Sequence, residues 1–483
     1  MRARITKEPD FARDSVGRLV LRLALPAVVA QIINLLYNLV DRMYVGSIPG
    51  HGTDALAGLG VAFPITLIVS AFSYLVGMGG APLAGIKMGE GRREDAAKVF
   101  NGGTGLLLVM GAVLTAVVLP LSGELVTLFG VPPTGYEYAR DYLFVYGTGT
   151  VFVMLSLGLN PFISTQGYSV TAMITVAIGA VLNITLDPLF IFVFDMGVKG
   201  AALATVISQG VSAVWVTSFF LRRKSVFKFN FRYFIPRERF VYRMLLLGLS
   251  PFIMAATESA IQIVFNVNLT RWSGGDSSYT AALTVMLSAV QIISMPLNGL
   301  GTGVQPLVSY CYGAGLSERI KKTVKIVTCV ALCVSVTVWA VSLGAPQMHG
   351  MIFSAEPDVM AVIVRYTPIF MMGTVMFFAQ MTLQNVFVAL GQARISIFLA
   401  CLRKVILLIP LCFLLPLAMG VDGVFYSEGI ADIAAGVTTA LTFFVMFPRI
   451  LKKREAALAA QNGARHENAD VRETEQEGAS AVS

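Results

Sequence analysis

The chain has 483 residues, 56% of them hydrophobic and only 13% charged, with a mean hydropathy of +0.73 and a formal net charge of +8. A soluble globular protein carries roughly 25% charged residues, so a soluble fold is excluded, although the length alone would suit two or three soluble domains. The positive charge is no nucleic-acid signature either, because the basic residues lie between apolar runs and do not form a patch of their own.

Several runs of about 20 residues carry no charge, the length a helix needs to cross a hydrocarbon core of roughly 30 Å. "GTGLLLVMGAVLTAVVLPLSG" (103–123) and "IVTCVALCVSVTVWAVSLG" (326–344) are clear examples. The first apolar run, Leu23 to Val40, has no small-residue cleavage site after it and reads as a first span, not a removable signal. Gly, Pro and charged breaks predict twelve spans, at 23–45, 58–82, 101–122, 138–160, 170–194, 201–221, 244–269, 279–304, 324–346, 359–388, 396–419 and 425–447. The fold class expected is all-α integral membrane.

With both termini in the cytoplasm, the basic residues sort to one side. The inner segments hold Arg92, Arg93 and Lys98, the run Arg222, Arg223 and Lys224, then Lys321, Lys322 and Lys325, and finally Lys452, Lys453 and Arg454. The outer ends keep only Arg42, Arg140, Lys199, Arg271 and Arg365, which is the positive-inside asymmetry. The tail from about residue 455 has no apolar face and is expected to be disordered.

The chain also repeats itself. "PLAGIKMGEGRREDAAK" (82–98) matches "PLVSYCYGAGLSERIKK" (306–322) at Pro, Leu, two Gly, Glu and Lys, an offset of 224. Pro26 and Pro251, Tyr142 and Tyr366, Gly167 and Gly391, and Gly197 and Gly420 keep nearly the same offset. Six spans per half is even, so the halves are parallel repeats related by an axis along the membrane normal. The resulting division is a cytoplasmic segment 1–22, an N-lobe 23–221, a cytoplasmic inter-lobe loop 222–243, a C-lobe 244–447 and a tail 448–483.

A carboxylate inside the bilayer costs about 2.5–3.5 kcal/mol on insertion scales, so intramembrane acids are functional candidates. Asp41 lies near the outer end of the first span, with Asn38 on the same helix face. Asp187 lies deeper in the fifth span, in "NITLDPLF" (183–190), with Asn183 one turn before it. Pro188 disturbs the turn there and frees carbonyls that can coordinate a cation, and Pro26 is a second helix-breaking position in the first span. Thr205 of the sixth span adds a hydroxyl, completing a candidate H⁺ or Na⁺ site in one lobe. Glu258, mid-way through the seventh span, is a separate polar candidate in the C-lobe. Arg403, Lys404, Glu428 and Asp432, on the last two spans, read as structural charge pairs. The five cysteines and three histidines show no metal-ligand spacing and no disulfide framework.

"LALPAVVAQIINLLYNLVDRMYVG", "PLAGIKMGEGRREDAAKVF", "NITLDPLF" and "GVKGAALATVISQ" together resemble the bacterial type of the multidrug and toxin extrusion (MATE) family, over residues 20–447. The resemblance implies two pseudo-symmetric six-helix lobes, and export of cationic or amphipathic compounds in exchange for H⁺ or Na⁺. It implies no enzyme activity, no cofactor beyond the coupling ion, and a monomer in the cell (inner) membrane whose partners are small organic substrates and lipid. It places the amino-terminal-lobe cation site on Asp41, Asn183, Asp187 and Thr205. Some members add a carboxy-terminal site with acids in the seventh and tenth spans. Glu258 matches the first, but "VIVRYTPIFMMGTVMFFAQMTLQNVFVAL" carries no acid.

Two alternatives stay open. A flippase for a lipid-linked saccharide precursor would line its cavity with several basic residues, and few fall within the spans. An intramembrane enzyme would need a motif such as HExxH or GxSxG, and neither is present.

Overall fold

In a hydrocarbon layer each backbone N–H and C=O must be satisfied within the chain, so apolar runs of this length fold as helices. The computed structural model describes residues 9–235, 238–352 and 356–480. Arg2, Arg4, Lys7 and Arg237 of the basic segments, and the last three residues of the tail, lie outside them. Among the described residues, eleven helices are long and apolar enough to cross a membrane, and one bent pair makes a twelfth.

In the first half these are α1 (Val16–Gly46), α2 (Gly52–Gly89), α3 (Arg93–Val118), α4 (Pro133–Thr148 and Thr150–Thr165, meeting at 62°), α5 (Ser169–Val193) and α6 (Gly197–Leu221). The second half holds α7 (Glu238–Trp272), α8 (Ser277–Gly313), α9 (Ser317–Gly344), α10 (Pro357–Ala389), α11 (Ala393–Met419) and α12 (Val421–Ser480). Each predicted span falls on one of them. The protein is thus an all-helical, multi-pass membrane protein built from two six-helix lobes.

Two expectations need correction. Pro26 does not break α1, which runs unbroken through it. The neighbouring helix holds that turn, because Gly299 and Gly303 of α8 let Ala24, Ala27 and Val28 approach closely. The backbone of α12 continues as a helix to Ser480, where a disordered tail was expected. Its Ala, Glu, Arg and Gln residues are strong helix formers, and that propensity needs no apolar face.

The lobes join at the end of the bundle that bears the termini. There α2 lies against α7 and α8, and α1 against α8. Glycines permit the approach: a methyl group on Gly79 would overlap the Met244 carbonyl, and one on Gly248 the Leu75 carbonyl. One apolar cluster at this end mixes Leu19 and Leu23 of α1 with Leu307, Val308 and Phe387 of the C-lobe. A second mixes Phe100 and Phe162 of the N-lobe with Met244 and Leu247 of α7. At the far end the clusters segregate, Val45, Leu59 and Leu143 on one side and Phe265, Leu283 and Phe425 on the other. The lobes are therefore fused at the terminal end, and their cores part toward the far end.

Two chain segments reinforce the join. The inter-lobe loop lies on the N-lobe, with buried Phe227 stacked on Phe100 and the Gln166 side-chain oxygen accepting from the Val226 N–H at 2.7 Å. On α12, Arg454 Nη2 donates to Glu90 Oε1 at 3.0 Å and to the Gly313 carbonyl at 2.8 Å, so it ties the α2–α3 turn to α8. Burial raises the Glu90 carboxyl, but Lys87 and Arg454 outweigh it and hold the group below its ordinary range.

A depressed carboxylate stabilises the fold at neutral pH, and that contribution is lost as pH falls through its folded-state value. Glu90→Gln is expected to cost on the order of 1 kcal/mol at neutral pH. The difference from wild type should vanish on acidification below the usual carboxylate range, as read from thermal melts across pH.

Candidate functional site

The far half of the N-lobe holds four of the predicted residues together. α1 brings Asp41, α5 brings Asn183 and Asp187, and α6 brings Thr205. All four are buried, with Asp41, Asn183 and Asp187 no more than 1% exposed. The i, i+4 spacing sets Asn183 over Asp187, and its Nδ2 donates to Asp187 Oδ1 at 3.3 Å and to Thr205 Oγ1 at 3.2 Å. Thr205 in turn donates to the Ala201 carbonyl at 3.1 Å. The Asp41 and Asp187 carboxyl groups lie side by side, close enough to interact. After Pro188, α5 changes from α to π geometry over Leu189–Val193 and continues as one span. Asn38 is only half-buried and takes no part in these hydrogen bonds.

The cluster is short of donors. Asp41 Oδ1, Asp187 Oδ2 and Asn183 Oδ1 are all buried acceptors without a partner among the described residues. Buried polar groups in native structures are nearly always paired, so three orphaned oxygens in one cluster set it apart from ordinary packing.

Sequence reading passed over the aromatic wall. Tyr37 and Tyr142 both reach Thr205, and Tyr142 stacks on Tyr146 with ring centroids 6.2 Å apart. Tyr37 precedes Asp41 by four residues in "YNLVD", so the same-face rule that selected Asn38 also pointed to it. Arg42, next to Asp41, lies over the Phe63 ring at 4.9 Å.

Beside the acids, a polar pocket of about 500 Å³ is lined by Asn34, Tyr37, Ser156, Gln209, Asn183 and Thr205. It shares Asn34, Leu157, Asn160 and Val176 with a larger cavity of about 980 Å³, which reaches Thr302 and Gln305 of the C-lobe. That cavity carries amides, hydroxyls, Tyr74, Met78 and Met173, and no Lys or Arg.

Glu258 is not part of this cluster. It pairs with Lys404 of α11, which also donates to the Met254 carbonyl at 2.8 Å. The remaining charges pair as expected from the sequence for Arg403, which bonds Asp432 Oδ1 at 2.6 Å and Glu428 Oε1 at 3.2 Å. Lys404 departs from the expected pairing between the last two spans, because α7 lies close enough to α11 to offer Glu258.

Two parallel six-helix lobes, fused at one end and sharing a cavity lined by residues of both, define a duplicated multi-pass membrane protein. The MatE family model matches twice, at residues 26–189 and 251–414, and the chain belongs to this MATE family of multidrug efflux transporters. The multidrug export protein MepA of Staphylococcus haemolyticus is 23% identical over 437 residues, spanning 90% of this chain and 94% of that protein. Among solved structures, the MATE multidrug transporter DinF-BH is 29% identical with a TM-score of 0.84, over 91% of this chain and 98% of that one. A multidrug resistance MATE transporter of the MOP superfamily, solved in an outward-facing conformation, shares the fold at a TM-score of 0.85 and 21% identity, over 92% and 99% of the two chains.

The two polar clusters should respond differently to truncation. Asn183→Ala strands a single buried acceptor set and is expected to cost about 1–3 kcal/mol. Arg403→Leu leaves two buried acids without their cation and should cost about 3–5 kcal/mol. Unfolding of purified variants in mixed micelles ranks them, and equal costs would contradict this reading of the C-lobe charges.

Proposed function

We propose that the protein is a secondary active antiporter that exports cationic or amphipathic organic compounds in exchange for H⁺ or Na⁺. The observation that carries this reading is the meeting of Asp41 and Asp187, two buried acids flanked by orphaned oxygens, beside a pocket that shares its wall with the inter-lobe cavity. Like charges in contact within a low-dielectric interior repel strongly, so the pair favours uptake of one cation between them. Asp41, Asp187, Asn183 and Thr205 would hold it, and Pro188 gives α5 a softened turn beside it. A loaded and an unloaded pair differ by a full charge, which is the differential a coupled conformational change requires.

The cavity suits the substrate half of the exchange. Amides and aromatic and methionine side chains adapt to varied apolar cations, and no fixed positive charge repels them. The same absence of Lys and Arg from the lining disfavours a flippase for a pyrophosphate-linked saccharide. The join at the terminal end supplies the fulcrum for rocking one lobe against the other. The positive-inside bias supports cytoplasmic termini in the inner membrane, so that the far end with its parted cores faces outward. The protein works as a monomer in this reading, because each lobe finds its partner within the chain.

Reconstitution in liposomes tests it. Efflux of a cationic dye should follow an imposed pH gradient or an imposed Na⁺ gradient, and silence under both would exclude secondary transport. Asp187→Asn and Asp41→Asn should each abolish gradient-driven efflux while dye binding persists; full efflux by Asp187→Asn would refute the site assignment.

A further inference from the structure

The C-lobe charges do not balance. Glu258, Glu428 and Asp432 face Arg403 and Lys404, three acids against two bases, all within the membrane-spanning part of the bundle. Arg403 divides itself between Asp432 and one oxygen of Glu428, and Lys404 is taken up by Glu258 and the Met254 carbonyl. The other oxygen, Glu428 Oε2, is buried with no partner among the described residues, and so is Gln380 Oε1. Both side chains are nearly sealed, Glu428 at 5% and Gln380 at 3% exposure. Gln380 belongs to the same network, since its Nε2 donates to the Asp432 carbonyl at 2.7 Å. The cluster is therefore one positive charge and at least one donor short.

We propose that Glu428 is a proton-binding site of the C-lobe, taking up a proton on Oε2 and releasing it again in step with the charges around it. The step is a simple one. A hydronium ion gives up the proton and leaves as water, an O–H bond forms at Oε2, and the cluster passes from one net negative charge to neutrality. The groups that face Glu428 are Asp432 on its own helix, Arg403, Lys404 and Cys412 on α11, and Glu258 on α7; α10 adds the uncharged Gln380.

The geometry also gives the proton a reason to move. Glu258 keeps 40% of its side chain exposed while its partner Lys404 keeps 5%, so the network opens to its surroundings at Glu258 and closes at Glu428. Two helix distortions sit at the same place. α10 is π-helical over Phe378–Leu383, which carries Gln380, and α11 over Leu402–Leu408, which carries both cations. Extra-residue turns of this kind recur at functional sites, because they offset a side chain from the helical register and leave it free to change partners. A shift of Arg403 from Glu428 toward Asp432 would favour protonation of Glu428, and the reverse shift would expel the proton. The site stands whether or not Asp41 and Asp187 couple transport.

Proton uptake by the purified full-length protein, titrated across pH, tests the proposal. Glu428→Gln should bind one proton fewer than wild type, and the same loss should appear in an Asp41→Asn/Asp187→Asn background. Loss in the N-lobe variant alone would support the proposed coupling site and overturn this one; loss in Glu428→Gln alone would do the opposite. An unchanged proton count in Glu428→Gln overturns the proposal outright. Should Glu428→Gln fail to fold, infrared spectra of the Asp41→Asn/Asp187→Asn protein decide. A protonated carboxyl band that Glu428→Asp displaces supports the site, and absence of that displacement rejects it.

Discussion

Charge inside a hydrocarbon layer must find compensation, and this constraint shapes both lobes. The C-lobe meets it largely with cations of its own chain, Arg403 and Lys404, which hold Glu258, Glu428 and Asp432. The N-lobe meets it with amides and hydroxyls, which stabilise a carboxylate but do not neutralise it. The two family-model matches start 225 residues apart, and at that offset Asp41 falls on Asn266 and Asp187 on Cys412. The duplicated scaffold has therefore kept its helices while relocating its acids. One lobe ties its acids to buried cations, and the other surrounds the Asp187 carboxyl with an amide and a hydroxyl.

Helix distortion follows the charges. α5 turns π-helical directly after Asp187, α11 at Arg403 and Lys404, and α10 at Gln380. Pro26, by contrast, leaves its helix regular. The difference lies in what packs alongside. Small residues of α8 close over Pro26 and restore the local order, whereas Pro188 stands beside a cluster that lacks donors. Local chemistry supplies the capacity to distort, and the neighbours decide whether it is used.

The positions of the spans were legible because burial in lipid writes a continuous apolar signal, independent of which helix packs on which. Asp41, Asn183, Asp187 and Thr205 were legible for a related reason, since each polar residue in such a run is costly and so conspicuous. Tyr37, Tyr142 and Tyr146 were not, because a tyrosine in a span is cheap and its hydroxyl becomes informative only beside Thr205 and Asp41. The pairing of Lys404 with Glu258 also escaped, because it depends on how α7 lies against α11, two helices 146 positions apart at the contact. Helical continuation of α12 was missed by weighing apolar pattern above intrinsic propensity.

The join between the lobes has a character suited to the proposed cycle. It is made of close backbone approaches at Gly79, Gly248 and Gly313, and of apolar clusters shared between lobes. Contacts of this kind gain dispersion energy in many small increments and carry no buried charge to be stranded when they part. Among the described residues one ion pair joins the lobes, Arg454 with Glu90, and it lies at the turn that follows α2, where water can hydrate both partners on separation. Buried ion pairs, which would resist separation, are all kept within a single lobe. In the proposed cycle the cost of opening the terminal end is thus set mainly by apolar exposure, which loading of a cavity with an apolar cation would offset. A fold that placed Arg403 and its acids across the lobes, and not within one, would hold the same helices together but could not alternate.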